Sequence, residues 1–148
     1  MPIQILWGND LNAQNTFIQK LIDKEVSKEW KEINVTFLNG DLNDRAIYKK
    51  ILTYFDKKIN VVISDMAANT TGNKNLDSYR TGKLCLKAMD LAREILYQDG
   101  VFLSKVFMGS IFAEIHEKAN KYFKKVIKYK PLSSRKESKE IYVYCKGI

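Results

Sequence analysis

Two hydrophobic periods alternate along this chain, and that alternation constrains the fold more than any other feature. Apolar runs of strand length stand at 3–7, 33–38, 59–64, 101–107, 123–129 and 141–145, and most are separated by stretches in which apolar residues return every three or four positions. Asn12 is placed to cap a helix carrying Phe17, Ile18, Leu21, Ile22 and Val26. Further helices are expected at 44–55, with Ile47, Ile51, Leu52 and Phe55 on one face, at 78–97 and at 111–122. The run 59–64 has the continuous apolar character of a strand covered on both faces.

Strands separated by helices predict a mostly parallel sheet, and right-handed crossovers make it a Rossmann-like α/β domain. Only Pro131 and the polar segment 133–139 separate the last two strands, so the final one is expected to run antiparallel to its predecessor. A length of 148 residues suits one domain, and 1–148 is read as such. No apolar stretch approaches the roughly 18 residues of a membrane span. Cys85 and Cys145 are far apart and read as core filler in a reducing, cytoplasmic setting, with no Cys/His cluster at metal-ligand spacing. His116, the one histidine, is expected on an exposed helical surface without a catalytic role.

The formal charge is +8, and much of it is local. From Lys118 to Lys146 stand ten basic residues, including Lys124, Lys125, Lys128, Arg135, Lys136 and Lys139, against only Glu137 and Glu140. A field of one sign attracts polyanions in a salt-sensitive way, although a lysine run also serves as a plain solvated face.

In a Rossmann-like sheet ligands bind beyond the carboxyl ends of the strands, which directs attention to Asp10, Asp41, Asp65 and Lys105. Asp65 closes an apolar strand and opens a small polar loop, where capping a turn is the simpler role. Lys105 lies inside Val101-Phe102-Leu103-Ser104-Lys105-Val106-Phe107, where an unpaired ammonium is costly. It needs a partner, an open site, or an edge from which to snorkel. Glu140 starts the last strand and by itself reads as a solvent-facing carboxylate.

The words around these residues add a resemblance. Ser64-Asp65-Met66-Ala67-Ala68-Asn69-Thr70-Thr71-Gly72, Ser104-Lys105-Val106-Phe107-Met108-Gly109, and the stretch from Lys130-Pro131 through Ser133-Ser134-Arg135 to Glu140-Ile141-Tyr142 are similar, in order and spacing, to the FtsJ/RrmJ family of ribosomal RNA ribose 2′-O-methyltransferases. The resemblance runs from about residue 37 to the C-terminus; Ala68 stands where members often carry proline. It implies a methyltransferase sheet, S-adenosylmethionine as cofactor, and ribosomal RNA or the large ribosomal subunit as partner, acting as a monomer without metal or membrane. It also implies that Asp65, Lys105 and Glu140 are the last three members of a Lys-Asp-Lys-Glu catalytic set. Asp41 is then expected at the adenine end of the cofactor, and Asp65 near the methionine end. Lys105 is assigned as general base, which asks for a lowered pKa. Lys124, Lys125, Lys128, Arg135, Lys136 and Lys139 would hold RNA phosphates.

Residues 1–40 fit this family less well. The first strand leads into Trp7-Gly8-Asn9-Asp10 with one glycine, a weak cradle for a cofactor, and one βα unit and the first catalytic lysine are expected to be missing. The opening is similar to the start of the delta subunit of a bacterial replicative clamp loader. Besides the methyltransferase, two readings therefore stay open: a catalytically impaired RNA-binding fragment or fusion, and a protein that binds replication components.

Overall fold

A computed structural model describes residues 3–7, 44–55, 57–130 and 137–148. The helix begun by Asn12 and the strand at 33–38 lie outside them, as do Asp10, Asp41, Arg135 and Lys136. The described elements are β1 (Ile3–Trp7), α1 (Arg45–Tyr54), β2 (Ile59–Asp65), α2 (Lys74–Ile95), β3 (Leu96–Phe107), α3 (Phe112–Tyr122), β4 (Lys125–Tyr129) and β5 (Glu140–Lys146). The strands form one sheet in the order β1-β2-β3-β5-β4. β1, β2 and β3 pair in parallel, and β5 slots antiparallel between β3 and β4, as expected for strands joined by so short a segment.

Because side chains alternate along a strand, each strand serves two surfaces. Val62, Ser64, Phe102, Ser104, Val106, Ile141, Val143 and Cys145 are buried. The apolar ones among them belong to the core with α2, which packs on β2 and β3 and is flanked by α1 and α3. Phe102 stacks on Phe123 with ring centroids 6.0 Å apart. Each such fully buried apolar side chain contributes roughly 1.5–3 kcal/mol. Both thiols are buried and free, and burial raises them, Cys85 to about 11 and Cys145 to about 12, so neither is a poised nucleophile.

Four boundaries differ from expectation by two residues or more. α2 begins at Lys74 and not at 78, because the Asn73 side chain accepts hydrogen bonds from the N–H groups of Asn75 and Leu76. It ends at Ile95, and β3 starts at Leu96 rather than 101: Leu96 pairs with Ile59, while the carbonyls of Gln98 and Gly100 accept from Ile148 and Gly147. Phe123 closes α3, its N–H bonded to the Ala119 carbonyl, so β4 starts only at Lys125.

Candidate active site

Asp65 is the last residue of β2, Lys105 lies near the end of β3, and Glu140 is the first residue of β5. Since β5 runs against β3, its beginning lies at the edge of the sheet where β2 and β3 finish. Ser64 pairs with Ser104, which sets Asp65 beside Lys105; Lys105 pairs with Tyr142, and Tyr142 with Tyr129. Residues in register share a face, so an aspartate, a lysine and two tyrosines form one row across the sheet, with Glu140 one step beyond it on the same face.

The lysine is held in that row by charge. Lys105 Nζ stands 2.7 Å from Asp65 Oδ1 and 3.4 Å from Glu140 Oε1. Its side chain is 15% exposed, whereas each carboxylate side chain keeps more than a third of its surface open, so the cluster faces outward through its acids. Asp65 Oδ1 is itself shielded, and beside the ammonium it takes no further hydrogen bond among the described residues.

The electrostatics correct one expectation. Burial works to lower the pKa of Lys105, but the hydrogen bond and charge of Asp65, then the charge of Glu140, outweigh it and leave the group above its ordinary value. The free site therefore holds an ammonium and not the amine that a ready general base requires. Burial, with the same two carboxylates, raises Tyr142 as well, and its hydroxyl keeps its proton. Two carboxylates against one ammonium leave one excess negative charge at the strand ends. That donor set favours a cationic ligand, and its ammonium can meet the lone pair of an alcohol oxygen.

The chain belongs to the FtsJ-like methyltransferase family. The family's sequence pattern matches residues 5–148 and so takes in most of 1–40, the segment expected to fit it less well. The curated relatives are proteins called ribosomal RNA large subunit methyltransferase E. That of Pelagibacter ubique is 47% identical over 120 residues, 80% of this chain and 59% of its own. That of Pseudomonas aeruginosa is 42% identical over 116 residues, 78% of this chain and 56% of its own. The chain thus spans less than three-fifths of the length of either relative. Among solved structures, a Plasmodium falciparum protein described as a ribosomal RNA methyltransferase superposes with a TM-score of 0.74 at 22% identity, over 100% of this chain and 88% of the other. A Streptococcus mutans protein described as a methyltransferase and solved in complex with SAH gives 0.54 at 14% identity, over 97% and 75%. At these identities the structures establish the fold, a Rossmann-like methyltransferase sheet.

Among the described residues of this FtsJ-like fold, the basic side chains do not form one patch. Lys139 is joined to the site, since its carbonyl accepts from the Met108 N–H, and Lys130 Nζ donates to the nearby Ser138 carbonyl. Lys128 is in register with Val143 and Ser104, on the other face of the sheet from Lys105. Lys125 sits at the far end of β4, about 13 Å from Tyr129 at the rise of an extended strand, and Lys124 stands one residue before it. Among the described residues no acidic, histidine and cysteine side chains gather in a metal-binding group. His116 is exposed on α3, where Nδ1 meets Asn120 Nδ2 at 3.0 Å.

Sequence reasoning missed the polar residues beneath the site. Asp77, Ser78, Thr81, Ser64 and Ser104 are the buried polar or charged residues of the described chain. A signal existed for three of them: 77, 78, 81, 82, 85 and 86 continue a single helical stripe, so polar groups at its start sit on the face that later turns apolar.

Proposed function

We propose that this chain transfers a methyl group from S-adenosylmethionine to a ribose 2′-hydroxyl of RNA, with large-subunit ribosomal RNA as substrate, in the reducing interior of the cell. The observation that carries this reading is the lysine clasped by two carboxylates at the strand ends, Lys105 between Asp65 and Glu140. Family membership and the names of the curated relatives support the substrate class.

S-adenosylmethionine, when bound, supplies an electrophilic methyl group on a sulfonium cation. The site's excess negative charge suits such a group, and by the family resemblance Asp65 would hold its methionine end and Asp41 its adenine. The chain must align the ribose oxygen and dispose of its proton. Asp65 and Glu140 hold Nζ in place, and the ammonium orients the hydroxyl by meeting its oxygen lone pair. Deprotonating Lys105 requires that the pull of its two carboxylates be weakened, which a cationic ligand beside Asp65 would do by competing for the same negative charge. Nζ then passes one proton to water at the half-open edge of the site and, as the amine, accepts the proton of the ribose oxygen. Tyr129, with half its surface open and in register with Tyr142, supplies a ring on which a neighbouring base stacks. Lys139, with Arg135 and Lys136 close to it in sequence, acts on phosphates, which position the strand without reading sequence, and Lys124, Lys125 and Lys128 join them where the RNA wraps around the sheet edge.

The test combines titration calorimetry with S-adenosylmethionine and transfer of an isotopically labelled methyl group to large-subunit RNA or subunit particles. Heat of binding and label in the RNA support the reading. RNA binding without any heat at millimolar cofactor would leave an RNA-binding module in its place.

A further inference from the structure

We propose that Asp77, Ser78 and Thr81, on the first two turns of α2, are positioning residues that fix the loop after Asp65 and the strand end beyond Lys105 in one mutual arrangement. The proposal rests on the methyl-transfer reading for its effect on rate, and on hydrogen bonds for its geometry.

Each of the three reaches a backbone segment of the site. Asp77 Oδ1 accepts from both the N–H and the hydroxyl of Thr71 at 2.8 Å, and the carboxylate also takes the Gly72 N–H. Thr81 Oγ1 accepts from the Ala68 N–H at 3.2 Å. The loop that leaves Asp65 is therefore pinned at two points three residues apart. On the other side, Ser78 Oγ donates to the Phe107 carbonyl at 3.0 Å, two residues beyond Lys105. Gly109 packs so closely on Ser78 that a β-carbon there would collide with the serine side chain. The next link is backbone alone: Met108 N–H donates to the Lys139 carbonyl at 2.8 Å, immediately before Glu140. Asp65, Lys105 and Glu140 come from separate strands, and each is followed or preceded within a few residues by a group tied to this network.

The cost of the arrangement argues that it serves more than folding. Ser78 and Thr81 are fully buried and Asp77 nearly so, and buried polar groups are expensive unless bonded. The same helix stripe continues as Cys85, Leu86, Met89 and Ala92, so an apolar start would pack by the same rule. The polar residues occur at the end of α2 that lies under the site, and all their bonds in this network go to site loops. A loop displaced by 1 Å would separate Asp65 from Lys105 without unfolding the sheet, and reacting geometry tolerates little such error.

The test uses the full chain with Asp77→Asn, Thr81→Val and the conservative Thr81→Ser, each checked for folding by its thermal transition. Amide hydrogen exchange needs no activity: Asp77→Asn is expected to speed exchange at Thr71 and Gly72, and Thr81→Val at Ala68, by about tenfold, with β3 and β5 unchanged. In methyl transfer the same variants are expected to lose about tenfold in kcat with KM for RNA within about twofold, and Thr81→Ser is expected to restore both readouts. Unchanged exchange at these amides overturns the clamp, as does faster exchange spread evenly through β2, β3 and β5. Altered exchange with intact kcat overturns the positioning role. Should wild-type chain transfer no methyl group, the methyl-transfer reading fails alone, and the exchange data still decide whether the loops are clamped.

Discussion

The two faces of the same three strands differ in what they contribute. On one face Val62, Phe102, Val106, Ile141 and Val143 disappear under the helices. On the other, one residue out of step, Asp65, Lys105, Glu140 and Tyr142 assemble a charged, half-open site. A slip of one residue in register would exchange the two sets, so the burial of the apolar face is what aims the chemical one. Under the proposed function, stability and reactivity are carried by alternate residues of one backbone, and substitutions one position apart are expected to fail in different ways.

The largest expected effect is on the covered face. Phe102→Ala removes a fully buried ring stacked on Phe123 and is expected to cost about 3–5 kcal/mol, read by denaturant unfolding. Three positions on, Lys105→Ala is expected to lower the methyl-transfer rate roughly 10²- to 10⁴-fold, with RNA affinity within about twofold and a thermal transition within a few degrees. If Lys105→Ala unfolded the chain and Phe102→Ala did not, the division between the faces would be broken.

Smaller effects sharpen the open face. Tyr129→Ala is expected to weaken RNA binding by about 1–3 kcal/mol in a titration, whereas a stacking ring that contributes nothing would leave the affinity unchanged. Neutralising Lys139 is expected to lower the slope of log affinity against log salt by about 0.7, the value for one phosphate contact on a single strand. The same change at Lys128, on the opposite face, tests whether RNA wraps around the sheet edge.

Titration distinguishes the site from the clamp beneath it. The pKa of Lys105 is raised in the folded chain, so its pairing stabilises at pH below the ordinary lysine value and is lost as pH climbs through the raised one. Asp77 is lowered, chiefly by the Thr71 N–H, so its contribution is present above the ordinary carboxylate value and is lost as pH falls through the lowered one. Thermal transitions measured across pH are therefore expected to lose their Asp77 dependence in Asp77→Asn only on the acid side.

The sequence carries the strand and helix order plainly, because period and turn residues are local. The antiparallel last strand is legible from Pro131 and the short polar segment 133–139, which offer no apolar period for a crossover helix. The start of α2 was not, since Lys74-Asn75-Leu76-Asp77 has no apolar period and its signal is the single cap at Asn73. The extension of β3 back to Leu96 depends on Ile59 and on the C-terminal Gly147 and Ile148, partners far away in the chain. At the site, the need of Lys105 for a partner could be read from its apolar neighbours. Which partner, and that two acids would raise rather than lower its pKa, depended on strand register.

The most direct test is the fate of the RNA backbone. Methylation of a ribose 2′-hydroxyl removes the nucleophile of alkaline cleavage, so RNA incubated with the chain and S-adenosylmethionine should yield one alkali-resistant dinucleotide carrying the labelled methyl. The same dinucleotide should be absent from the reaction with folded Lys105→Ala. Label found only on a base, or an equal yield from Lys105→Ala, would contradict the assignment of this lysine and its two carboxylates to ribose methylation.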